Sequence, residues 1–159
     1  MSSMGTLLAI DLGLRTGLAL YGSDGKLRSY RSHNFGSPAR LKKGAWAVLN
    51  DPGDLEVVVI EGGGDLAEIW LRVVEKRNLR ALLINAETWR EKLLYAREQR
   101  SGAEAKQHAD ELARRVIEWS NATRPTSLRH DAAEAILVGL WGVLEIGWLE
   151  RIPGEIRRI

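Results

Sequence analysis

Residues 55–64, LEVVVIEGGG, carry the strongest strand signal in the chain. Val57, Val58, Val59 and Ile60 form an unbroken β-branched run, and three glycines stop it. Such a run reads as a strand buried within a sheet. Glu61 closes it. A buried carboxylate without a partner is costly, so an acid at this point needs a reason: an ion pair with an arginine, or chemistry.

Working outward from this strand, DLAEIWLRVVEKRN (65–78) has helical spacing, with Asp65 as N-cap and a stripe of Leu66, Ile69, Trp70 and Val73. LRALLINA (79–86) reads as a short strand. ETWREKLLYA (87–96) reads as a short helix, and 101–122 as a longer one capped by Ser101. TRPTSLRH is a loop before a last helix from about Asp131 to Leu149, and IPGEIRRI is a tail. On the N-terminal side, GTLLAIDL (5–12) is an apolar run ending in Asp11, which suits a central strand. TGLALYGS is its antiparallel partner, the Asp-Gly of GSDGK marks a turn, and KLRSYRSHNF alternates as a third strand. SPARLKKGAWAVLN (37–50) has a Ser-Pro helix start, and DPGD breaks it. This order predicts an α/β protein with a mixed five-stranded sheet flanked by helices on both faces. With no repeat, low-complexity tract or linker, residues 1–159 read as one domain.

Composition narrows the chemistry. With 45% apolar and 28% charged residues the chain reads as an ordinary soluble globular protein. The absence of cysteine excludes disulfides, thiolate metal sites and cysteine nucleophiles, and fits a cytoplasmic setting. Neither a secretory signal nor an apolar run of membrane-spanning length is expected. The formal charge of +2 is compatible with a nucleic-acid partner. Arg90, Lys92, Arg97, Arg100 and Lys106 cluster in one segment, where guanidinium forks suit phosphates; Glu91, Glu98 and Glu104 among them equally suit a solvated helix face.

The acids are the informative residues. If the first and fourth strands are neighbours, Asp11 and Glu61 lie side by side at the sheet rim. Asp131 and Glu134, three apart, share one face of the last helix. Four carboxylates from three elements suit hard cations such as Mg²⁺ or Mn²⁺. Two such ions about 4 Å apart activate water and stabilise the leaving oxygen of a phosphodiester. Each acid also has a local alternative. Asp11 before Gly13 fits an Asx-turn, Glu61 an ion pair, and Asp131 with Glu134 a helix N-cap and its capping-box acid. His130 reads as a capping or loop histidine, or as a ligand.

Taken together, these segments resemble a known family. AIDLGLRTGLALY resembles the first hairpin of the RuvC family of Holliday junction resolvases, a branch of the RNase H-like superfamily. VVVIEGGG resembles the family's second acidic motif, and HDAAEAILVG the third, in the same order along nearly the whole chain. The resemblance implies an RNase H-like fold and a metal-dependent endonuclease that resolves four-way DNA junctions by paired nicks. Asp11, Glu61, Asp131 and Glu134 would hold two Mg²⁺ or Mn²⁺ ions, with His130 as an alternative ligand and Lys106 near the scissile phosphate. It also implies a homodimer through the helix bearing Leu66, Ile69, Trp70 and Val73, with the start of that helix near the junction centre, and a cytoplasmic, nucleoid-associated enzyme. For Trp70, core packing is the competing expectation.

Two departures stand out: Leu12 replaces a proline frequent in the family, and Glu134 replaces the usual aspartate. Three other readings share features of the sequence. A YqgF-like RNA-processing nuclease shares the first hairpin. An actin-like sugar kinase or ATPase lobe shares the opening, but needs a second lobe that 159 residues do not hold. A junction-binding protein without catalysis has no use for four acids on an anionic ligand.

Overall fold

The computed structural model describes residues 5–157. Strands β1 (Thr6–Asp11), β2 (Arg15–Gly22) and β3 (Leu27–Asn34) form an antiparallel meander. Helix α1 (Pro38–Asn50) leads to β4 (Leu55–Glu61), and α2 (Gly64–Lys76) to β5 (Arg80–Ile84). Then come α3 (Ala86–Leu93), a 3₁₀ turn (Ala96–Gln99), α4 (Gly102–Ser120) and α5 (His130–Glu145). The sheet order is β3-β2-β1-β4-β5, with β4 parallel to β1 and β5 parallel to β4. This is the expected mixed five-stranded sheet, and β1 and β4 are indeed neighbours.

Strand alternation divides the core in two. Leu7, Ala9, Ala19, Tyr21, Val57 and Val59 face α3, α4 and α5. Leu8, Ile10, Leu18, Val58 and Ile60 face α1 and α2. Strands buried on both faces need apolar residues at every position, which is why β1 and β4 are continuous apolar runs. Apart from Glu134, helix α5 is buried on all sides from Ala132 to Val143. It lies close against the sheet because small residues line the contact. A Cβ on Gly139 would lie 2.2 Å from the Tyr21 ring, and one on Gly142 2.8 Å from Val59. The buried Tyr21 hydroxyl donates to the Ile136 carbonyl, tying mid-helix to β2.

Several helix ends differ from the sequence expectation. Gly63, not Asp65, is the N-cap of α2, and Asp65 lies in its first turn. Helix α5 starts at His130 with Arg129 as N-cap, so Asp131 is already inside the helix. The capping-box reading of Asp131 and Glu134 therefore fails: a capping side chain must sit outside the first turn. The same helix ends at Glu145 rather than Leu149, where Gly147 at φ +85° turns the chain away. Helix α3 ends at Leu93, and Ser101 caps α4 as expected. Trp70 is fully buried and Val73 nearly so, both in the core under α1 and α2. Those two residues therefore serve this chain's own packing rather than an exposed interface; Leu66 and Ile69 are half-buried. Among the described residues no helix is long and apolar enough to cross a membrane.

Candidate active site

The strand registers set up a row across the sheet: Ser32, Gly17, Asp11, Glu61 and Ile84 are successive partners. In β1 and β4, Asp11 and Glu61 continue the alternation of Leu7, Ala9, Val57 and Val59, so their side chains belong to the α5 face. Beyond the row the strands separate. Gly62 takes φ +124° in contact with Leu12, where a Cβ would come within 2.9 Å of the leucine side chain. Its N–H donates to the Ile84 carbonyl at 3.0 Å, and the Leu12 N–H to the Glu61 carbonyl at 3.2 Å.

Gly17 admits the last helix to this rim. A Cβ there would lie 1.9 Å from the Asp131 carbonyl oxygen, so only glycine allows the start of α5 to rest on β2. This docking carries Glu134 to the strand ends. Carboxylate oxygens of Asp11, Glu61 and Glu134 all lie within 4.8 Å of one another. Glu134 is 12% exposed, and its Oε1 is 2.9 Å from His130 Nε2 and 3.5 Å from Arg90 Nη2. Burial pushes the Asp11 carboxyl up to about 9; the hydrogen bond with Glu61 and the charges of Glu134, Glu61 and Asp131 add to the shift. Without a cation, Asp11 therefore keeps its proton at neutral pH.

Asp131 sits one step away from this trio. Its Oδ2 accepts from Ser32 Oγ at 2.8 Å, and its Oδ1 from the Ala132 N–H at 3.1 Å. Its charge still acts on Asp11. His130, a sequence candidate for a ligand, is engaged with Glu134 one turn on. Lys106 is exposed on α4 and forms no ion pair among the described residues. Ser32 and the Arg90–Glu134 pair were not anticipated as site features. The hairpin register would have revealed Ser32, because Asp11, Gly17 and Ser32 are cross-strand partners.

The donor set is all carboxylate oxygen, which suits a hard divalent cation. The three carboxylates within reach of one another also repel, and a bound cation would relieve that repulsion.

No family model and no curated relative matches the sequence. Solved structures do. A structure of RuvC from Thermus thermophilus in complex with a Holliday junction substrate superimposes with a TM-score of 0.63 at 16% identity, covering 90% of this chain and 96% of that one. A second Thermus thermophilus RuvC structure gives a TM-score of 0.63 at 15% identity, covering 89% and 96%. The chain thus has the RNase H-like fold of these RuvC structures.

Proposed function

We propose that this protein is a divalent-metal-dependent endonuclease that resolves four-way DNA junctions by paired nicks. The observation that carries the reading is the convergence of the Asp11, Glu61 and Glu134 carboxylates on a fold shared with a junction-bound RuvC. Asp11, Glu61 and Glu134 would hold Mg²⁺ or Mn²⁺, with Asp131 completing the acidic set. When bound, two such ions acidify an attacking water and neutralise charge at the phosphorus and leaving oxygen. The protein's own groups set the geometry. Asp11 and Glu61 are fixed by paired strands, Glu134 by the docked helix and its contacts with His130 and Arg90, and Asp131 by Ser32. In this reading Lys106 and the arginines after β5 bind backbone phosphates, so affinity falls steeply with salt.

A two-fold homodimer would match the symmetry of the junction and allow paired nicks. Helix α2 has charges suited to such pairing. Exposed Asp65 and Glu68 lie in its first half, exposed Arg72 and Lys76 in its second. Two antiparallel copies would set acid against base around Leu66 and Ile69.

The test is incubation of the purified protein with a labelled four-way junction, a linear duplex and a structured RNA, with and without Mg²⁺ or Mn²⁺. Paired nicks near the branch point that leave 5′-phosphates, require the metal, and fall at least about 10³-fold in Asp11→Asn are expected. Equal cutting of the linear duplex, preference for RNA, or cleavage retained by Asp11→Asn would sink the reading.

A further inference from the structure

The chain that follows α5 folds back onto the protein. Gly147 turns it, and Trp148, Leu149 and Ile152 pack against the α5-side core. Gly154 and Glu155 are exposed, yet the next residue, Ile156, is fully buried in that same core. Arg115 on α4 holds this anchor, its Nη1 donating to the Ile156 carbonyl at 3.3 Å. Arg157 then reaches across to α3. Its Nη1 donates to the Lys92 carbonyl at 3.3 Å, one of the helix-end carbonyls that have no partner within the helix. Its guanidinium also lies over the Tyr95 ring, 4.1 Å from Cζ to the centroid. Arg97 lies over the same ring at 4.6 Å.

The segment that Arg157 touches has little else to fix it. The 3₁₀ turn between α3 and α4 buries none of its residues, so apolar packing does not hold it in place. Side chains do. Gln99 Nε2 donates to the carbonyls of Arg90 and Leu94, Glu98 accepts from the Tyr95 N–H at 2.8 Å, and Arg157 covers the Tyr95 ring. Of these three side chains only Arg157 comes from outside the segment. The turn carries Arg97, and Arg100 follows it; both are exposed and form no ion pair among the described residues. A guanidinium over an aromatic face is held by the ring quadrupole, so fixing the Tyr95 ring also fixes where Arg97 stands. We propose that Ile156 and Arg157 are positioning residues: they strap the connection between α3 and α4 to the core, and so set where Arg97 and Arg100 meet the DNA backbone. Arg157 acts through these two arginines rather than by touching DNA. The DNA part of this assignment rests on the junction-resolvase reading above.

Native-state hydrogen exchange tests the strap without DNA. The Leu94, Tyr95 and Glu98 amides are hydrogen-bonded within the strapped segment and report on it. Arg157→Gln, which leaves the core intact, should speed their exchange about 10-fold and leave the Ala9 and Val59 amides unchanged. Junction titrations in EDTA, and cleavage with Mg²⁺, test the consequence. Arg157→Gln should bind a four-way junction about 5-fold more weakly, with KM raised and kcat within about 2-fold of wild type. Ile156→Ala and Tyr95→Ala, which change no charge, should weaken binding to a similar extent, and Tyr95→Phe, which keeps the ring, should match wild type. In a background of Arg97→Gln with Arg100→Gln, Arg157→Gln should cost less than about 2-fold, because the groups it positions are gone. Unchanged exchange at Leu94, Tyr95 and Glu98 overturns the strap. Faster exchange with unchanged junction binding overturns its positioning role. A full loss in the Arg97→Gln, Arg100→Gln background means that Arg157 touches DNA itself, and overturns the proposal as well. Wild-type protein that binds no junction overturns the resolvase reading and this use of the strap with it, while the exchange result shows separately whether the strap holds.

Discussion

The two faces of the sheet are packed in different ways. On the α5 side Ala9, Gly17, Ala19, Gly139 and Gly142 make room beside Leu7, Tyr21 and Val59, and helix and sheet backbones approach closely. On the α1–α2 side the contact is made by Leu8, Ile10, Leu18, Phe35 and Trp70, larger side chains that keep the backbones apart. An open cleft of about 420 Å³ lies there between the outer strands and α1, lined by Leu18, Phe35, Gly44, Ala47 and Val48 among others. Only the close-packed face fixes the spacing of groups on different elements, and it is the face that carries the acids. Small residues give positional accuracy; large ones give buried area.

This contrast can be broken most sharply at Gly17. Gly17→Val would push the start of α5 off β2, at a cost of about 3 kcal/mol, or roughly 6–10 °C in melting temperature. Cleavage should fall further than stability, because Glu134 moves with the helix. Thermal melts beside junction cleavage check this; a variant with wild-type melting and activity would show that the close approach is not needed.

A second effect comes from the acids themselves. The folded Asp11 carboxyl binds its proton more tightly than in the unfolded chain, where its value is ordinary. The group's favourable share of stability is therefore intact below about pH 4 and is lost as pH rises through about 9. Without metal, Asp11→Asn should melt roughly 5 °C above wild type at pH 9 and close to it at pH 4. Added Mg²⁺ should raise the wild type more than the variant. A pH-independent gap would mean that the burial and crowding of the Asp11 carboxyl are not its cause.

Ser32→Ala sharpens the comparison on a smaller scale. It removes one hydrogen bond to Asp131, worth about 1 kcal/mol or roughly 3 °C, and should lower cleavage several-fold while leaving Asp11 and Glu61 in place. Unchanged kcat would detach Asp131 from the chemistry. The smallest effect is expected on the other face. Ala47→Leu extends toward the cleft and should change stability by less than about 0.5 kcal/mol with activity unchanged. A large loss there would erase the distinction between the faces.

The sequence was most legible where burial is strongest. β1 and β4 announce themselves as unbroken apolar runs, and the acids that close them are conspicuous because charge is costly at such ends. Helix starts were legible where a serine stood just before the helix, as at Ser37 and Ser101, whereas the Asn85 cap of α3 was read as part of the preceding strand. They misled where an acid stood inside the first turn. Asp65 and Asp131 favour the positive helix end without capping it, and composition alone does not separate the two positions. The α2 stripe was visible, but spacing does not say which surface a stripe meets; Trp70 meets the chain's own sheet. Ser32 and Arg90 were hidden for a further reason. Ser32 reaches the site through strand register, and Arg90 through the packing of α3 against α5, both properties of the assembled fold.

The seat that Gly17 provides for α5 has a consequence for how activity arises during synthesis. The strands holding Asp11 and Glu61 are translated long before Glu134, and the third carboxylate reaches them only when the last helix settles onto the glycine. A nascent or truncated chain that has not docked α5 therefore has two acids and an open rim. If the chain is the nuclease proposed above, it would be silent until α5 has docked, and its activity would report that this last step of folding is complete.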